Sequence, residues 1–74
     1  MYDLATNLKK VRIEKKMTQK QVAVGAGIAE RQYQYYEYGT KTPSALILCA
    51  IADALDVSLD YLVGRLDNRK GKRS

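Results

Sequence analysis

Residues 18–39 read TQKQVAVGAGIAERQYQYYEYG, two short helical patterns joined at a glycine. Thr18 can cap the first pattern and Gln21, three residues on, can close a capping box. Val22, Ala23 and Ala26 then recur along one face. Gly27 marks the stop, because it can adopt the positive φ that a tight turn demands, and Ala23 must be small if a following helix crosses the first one closely. A second pattern starts at Ile28. Tyr33 and Tyr36, three apart, take its inner face as core residues, while Glu30, Arg31, Gln34 and Tyr38 take the opposite one. Two such helices across a short turn form a helix-turn-helix, and the polar outer face of the second is suited to the edges of bases.

Working outward, a first helix is expected from Leu4 to Lys16, with Leu8 and Val11 inward beside Leu4 and with Lys9, Lys10, Lys15 and Lys16 outward; Ile13 falls off the stripe. The two central helices should span Gln19 to Ala26 and Glu30 to Tyr38, with Gly39 ending the latter and Pro43 preventing its resumption. Ser44 offers the next N-cap. A fourth helix, Ala45 to Leu55, places Leu48, Ile51, Ala52 and Leu55 at the spacing of a core stripe, and Ser58 with Asp60 opens a short fifth helix through Leu62. No strand pattern competes, so the fold class is all-α with five helices, the helix-turn-helix at helices 2 and 3. Residues 1–64 read as one domain. Residues 65–74, RLDNRKGKRS, read as a disordered basic tail.

A chain of 74 residues buries only about 60% of the surface it would expose unfolded, so its stability margin should be small. Its single cysteine, Cys49, forms neither an internal disulfide nor a multi-cysteine metal site, and its apolar surroundings predict a buried thiol in a reducing cytoplasm. No signal-peptide core is present at the start, and the longest apolar run, Ala45 to Ala52, is far short of the roughly 20 residues that span a bilayer. The expectation is a soluble, cytoplasmic protein. With no histidine, no cysteine pair and no glycine-rich phosphate loop after a strand, no catalytic, metal, cofactor or small-molecule site is expected, and the chain is not expected to be an enzyme.

The formal charge of +5 is segregated. Residues 1–41 carry 8 Lys+Arg against 4 acids; residues 42–64 carry none against Asp53, Asp56 and Asp60; residues 65–74 carry 5 against Asp67. A basic half followed by acidic helices orients a domain toward a polyanion such as a nucleic acid.

Several ordered pieces resemble the lambda-repressor-like family, the Cro/C1 or XRE type of bacterial and phage regulators. Leu8, Val11 and Arg12 resemble its first-helix signature, Thr18-Gln19 its helix 2 opening, Ala23 to Gly27 its Ala-x-x-x-Gly turn, and Glu37-x-Gly39 its helix 3 exit. Pro43-Ser44, Leu48, Ile51-Ala52, Ala54-Leu55, Val57-Ser58, Asp60, Leu62 and Gly64 resemble its closing helices. The resemblance implies a transcriptional regulator, a repressor by analogy, and a structural ion pair between Arg12 and Glu37. Two departures stand out. Ala29 occupies the place where relatives cap helix 3 with Ser or Thr, and Tyr33 stands where relatives bury an aliphatic side chain. Gly25, inside helix 2, is a further local weakness of about 0.5–1 kcal/mol.

With helix 3 in a major groove, its first turn approaches the bases. Arg31 then suits guanine, Gln34 adenine, Glu30 cytosine, and Ala29 a thymine methyl. Gln19 and the first amides of helix 2 would meet phosphate, with Tyr35, Tyr38, Thr40 and Lys41 extending backbone contact. Leu46, Ile47 and Ala50 are left over once the core face of helix 4 is assigned, which points to a homodimer on an inverted-repeat operator. The alternative is a protein-interaction module, such as an antitoxin or transcription adapter, using the same fold. RNA reading is disfavoured because the inner tyrosines are assigned to the core.

Overall fold

A computed structural model describes residues 3–64. Five helices follow one another: α1 (Leu4–Glu14), α2 (Gln19–Ala26), α3 (Glu30–Tyr38), α4 (Ala45–Leu55) and α5 (Leu59–Leu62). The basic stretch 65–74 lies outside the described residues.

Each start has a local cause. Asp3 caps α1 by accepting from the Ala5 and Thr6 amides, and Ser44 and Ser58 cap α4 and α5 through the Ile47 and Tyr61 amides. At α2 the capping box forms in full: Thr18 Oγ1 accepts from the Gln21 amide at 3.0 Å and the Thr18 amide donates to Gln21 Oε1 at 2.8 Å. Ala29 leaves α3 without a side-chain cap.

The helices wrap one core. α2 packs on α4 and α3, α1 packs on α3 and α5, and α4 meets α5. Tyr33, Leu8, Ile51, Leu55, Leu62 and Val22 are the largest side chains wholly withdrawn from solvent, joined by Val11, Ala23, Ala52 and Tyr36. Withdrawing a leucine or isoleucine of this kind from water contributes about 1.5–3 kcal/mol. Among the described residues Glu37 is the one buried charged side chain. No helix among them is long and apolar enough to cross a membrane.

Four expectations are corrected. The first helix ends at Glu14, two residues early, because Lys16 turns left-handed at φ 58° and Met17 donates back to the Arg12 carbonyl at 3.2 Å. Cys49 is exposed. At roughly 100° per residue it stands beside the stripe of Ile51, Ala52 and Leu55, so an apolar neighbourhood in sequence does not bury it. Leu48 lies at the rim of the core, half-buried, and Ile47, counted among the leftover residues, also packs against the core.

Gly25 has a packing reason. A Cβ added there would lie 2.9 Å from the Ala54 Cβ, so its absence lets α2 and α4 approach closely.

Candidate nucleic-acid interface

The turn between α2 and α3 is set by Gly27 at φ 75°, with its own amide and that of Ile28 returning to the Val24 and Ala23 carbonyls. This geometry leaves Ala29, Glu30 and Arg31 exposed at the start of α3. Gln34 comes next on that face and is half-buried. By helix geometry the first-turn amides of α2 and α3 have no intrahelical acceptor, and their positive dipole ends suit an anion.

Glu37 anchors the motif from within. Arg12 from α1 grips it with two bonds, Nε to Oε2 at 2.7 Å and Nη2 to Oε1 at 3.0 Å, while Arg12 Nη1 donates to the Met17 carbonyl at 2.9 Å. The Tyr33 hydroxyl donates to Oε2 at 2.7 Å, and Gln19 Nε2 to Oε1 at 3.0 Å. Burial on its own would raise the Glu37 pKa; the bonds from Arg12, Tyr33 and Gln19 outweigh it and hold the carboxyl below its ordinary value. The carboxylate in turn raises the Arg12 pKa, chiefly through their hydrogen bonds. The ion pair implied by the family resemblance is therefore present, and the same carboxylate supplies the partner that the buried Tyr33 phenol requires.

The remaining site residues fall into two groups. Gln19 sits at the first position of α2, but its side chain turns inward to Glu37 and also accepts from Gln34 Nε2 at 3.2 Å. At the far end of α3, Tyr38, Thr40 and Lys41 are exposed. There the Lys41 ammonium lies 4.9 Å from the centre of the Tyr35 ring, and the Tyr35 carbonyl accepts from the Thr40 and Lys41 amides. Leu46 stands apart on α4, 84% exposed. Ala50 is half-buried near it in the helix.

Sequence reasoning missed the Glu37–Gln19–Gln34 chain of hydrogen bonds, whose members are 18 and 15 residues apart and leave no local signal. It also missed the bond between the Tyr61 hydroxyl and Glu14 that ties α5 to α1, and that from Gln32 to the Tyr36 hydroxyl. The last joins residues four apart, and helical spacing alone was sufficient to find it.

A helix-turn-helix family model matches residues 8–62. The HTH-type transcriptional regulator YqaE of Bacillus subtilis is 45% identical over 64 residues, which are 86% of this chain and 55% of YqaE. The cryptic phage CTXphi transcriptional repressor RstR of Vibrio cholerae is 46% identical over 48 residues, 65% of this chain and 43% of RstR. Among solved structures, the DNA complex of SinR, a master regulator for biofilm formation, shares the fold with a TM-score of 0.74 at 30% identity, covering 80% of this chain and 95% of that one. This chain spans about half the length of the curated relatives it matches. A family match across α1 to α5, with the Gly27 turn and the Arg12–Glu37 pair in place, shows that the chain belongs to the lambda-repressor-like, Cro/C1 or XRE-type family of helix-turn-helix transcriptional regulators.

Proposed function

We propose that the chain is a sequence-specific reader of double-stranded DNA that regulates transcription, a repressor by analogy with RstR, and acts by placing α3 in the major groove. The observation that carries this reading is the exposed start of α3, held at a fixed angle to α2 by the Gly27 turn and to α1 by the buried Glu37 cluster. A recognition helix needs such rigidity, because base contacts depend on placement within a fraction of an ångström.

Roles follow from chemistry. Arg31 donates to guanine, Gln34 pairs with adenine, Glu30 accepts from cytosine, and Ala29 meets a thymine methyl. The backbone N–H of Gln19 at the start of α2, with Tyr35, Tyr38, Thr40 and Lys41, holds the phosphates. Tail cations at 65–74 add attraction independent of sequence. Leu46 and Ala50, with a share of Ile47, form a homodimer contact, and the operator is an inverted repeat. In this reading the protein is a cytoplasmic regulator and not an enzyme.

Selection from a random duplex library at near-physiological salt tests it. Enrichment of an inverted repeat with half-sites about one helical turn apart is expected. Arg31→Ala should then cost about 1–3 kcal/mol on the preferred site and relax one position, whereas Lys41→Ala should weaken all sequences alike. Equal loss on every sequence for Arg31→Ala would remove it from base reading. A wild-type protein that enriches nothing would sink the DNA reading and turn the search to a protein partner.

A further inference from the structure

The two ends of the Gln34 side-chain amide are nearly equal in size and opposite in hydrogen-bonding sense, so what it reads depends on which end faces outward. The structure sets that choice from inside the fold. A carboxylate only accepts, so Glu37 requires Gln19 to turn its Nε2 inward, 3.0 Å from Oε1. Gln19 is left with its carbonyl oxygen toward Gln34. That oxygen also only accepts, so Gln34 commits an N–H to it at 3.2 Å. Glu37 is clamped by Arg12 and Tyr33 and its side chain is 2% exposed, which anchors the start of the chain.

Resting on the DNA reading proposed above, the geometry points to Gln19 as a positioning residue for base preference. Held by Glu37, it fixes the Gln34 amide so that Oε1 and one N–H stay free. That acceptor and donor pair matches N6 and N7 of adenine. A freely rotating amide can instead offer an N–H to guanine or its oxygen to the amino group of cytosine. Fixing the amide therefore sharpens selection at one base pair, through a residue that itself touches no base.

The test compares binding-site selection for the full chain with Gln19→Met, Gln34→Ala and their double variant at one salt concentration, with thermal melting to confirm each fold. Gln19→Met retains length and removes both bonds. It should lose about tenfold discrimination at the single position that Gln34→Ala also erases, with the other positions unchanged. The double variant should be no worse there than Gln34→Ala. Gln19→Lys provides a second readout that still gives Glu37 a donor: an ammonium accepts nothing, so Gln34 must turn its oxygen inward and its NH2 outward, and preference should move from adenine toward guanine. Uniform weakening of all sequences by Gln19→Met, the mark of a lost phosphate contact, would overturn the proposal, as would an unchanged base profile in both Gln19 variants. A wild-type chain that selects nothing removes the DNA reading, and this inference with it; a selective wild type with unaltered Gln19 variants removes this inference alone.

Discussion

Taking a carboxylate out of water costs several kcal/mol unless charge and hydrogen bonds replace the solvent, and at Glu37 three side chains do so. Removing the acid strands Arg12, whose side chain is 14% exposed, and takes from the buried Tyr33 hydroxyl the oxygen it donates to. Glu37→Ala should therefore destabilise by about 3–5 kcal/mol in denaturant titrations, a large share of what a domain this small possesses. Tyr33→Phe, which removes one donor and keeps the ring, should cost less, about 1–3 kcal/mol. An unchanged midpoint for Glu37→Ala would show that the cluster is not structural. The same residues set the pH limits. The Glu37 carboxyl lies below its ordinary 4.5 in the fold, so its contribution is complete above that value and is lost as pH falls through the folded pKa. Tyr33, raised above 10.0 first by burial and then by its bond to Glu37, contributes fully below 10.0 and loses that contribution as pH climbs toward its folded value. Stability should be flat between these limits, and Glu37→Ala should lessen the acid fall.

Element boundaries divide into those with a chemical signature and those without. α2 and α3 end at Gly27 and Gly39, both left-handed, whereas α1 and α4 end the same way at Lys16 and Asp56, where φ is 58° and 59°. The glycine ends were legible; the Lys16 end was not, because nothing in a run of lysines marks which one turns. Caps at Thr18, Ser44 and Ser58 were legible for the same chemical reason, since their hydroxyls are the local acceptors for first-turn amides. Burial within α4 was only half legible. Its face is apolar on nearly all sides, so periodicity located Ile51, Ala52 and Leu55 but not the exposure of Cys49. The exposure of Glu30, Arg31 and Tyr38 on α3 was legible, yet the half-burial of Gln34 against Gln19 and the inward turn of Gln19 depend on a carboxylate one helix away. At Gly25 the packing of two elements overrides the local preference of one. Helix propensity favours Gly25→Ala by about 0.5–1 kcal/mol, but the new methyl would meet Ala54 at 2.9 Å, and forcing α2 from α4 costs about 1–3 kcal/mol. The substitution should lower the melting temperature, and Gly25→Ala combined with Ala54→Gly should recover part of the loss. A higher melting temperature for Gly25→Ala alone would mean that the two helices can yield.

Across the fold, charge is segregated along the chain. The basic half contains α1 to α3, and the acidic half contains α4 and α5 with Asp53, Asp56 and Asp60. An inverted-repeat operator would place two copies with their α3 helices toward DNA, so contact between copies has to come from a surface that the groove leaves free. Leu46 is 84% exposed on α4, in the stretch 42–64 that carries acids and no Lys or Arg. A two-fold contact is self-complementary, so whatever is placed at Leu46 in one copy is placed there twice. Leu46→Glu would set two carboxylates against each other at such a contact, while leaving the core untouched. Sedimentation across a range of concentrations should show weaker self-association for this variant at an unchanged melting temperature. Its affinity should fall on a full inverted repeat and hold on a single half-site. If self-association and the full-site preference both survive, the two copies meet elsewhere, and Leu46 is only an exposed leucine of a small domain.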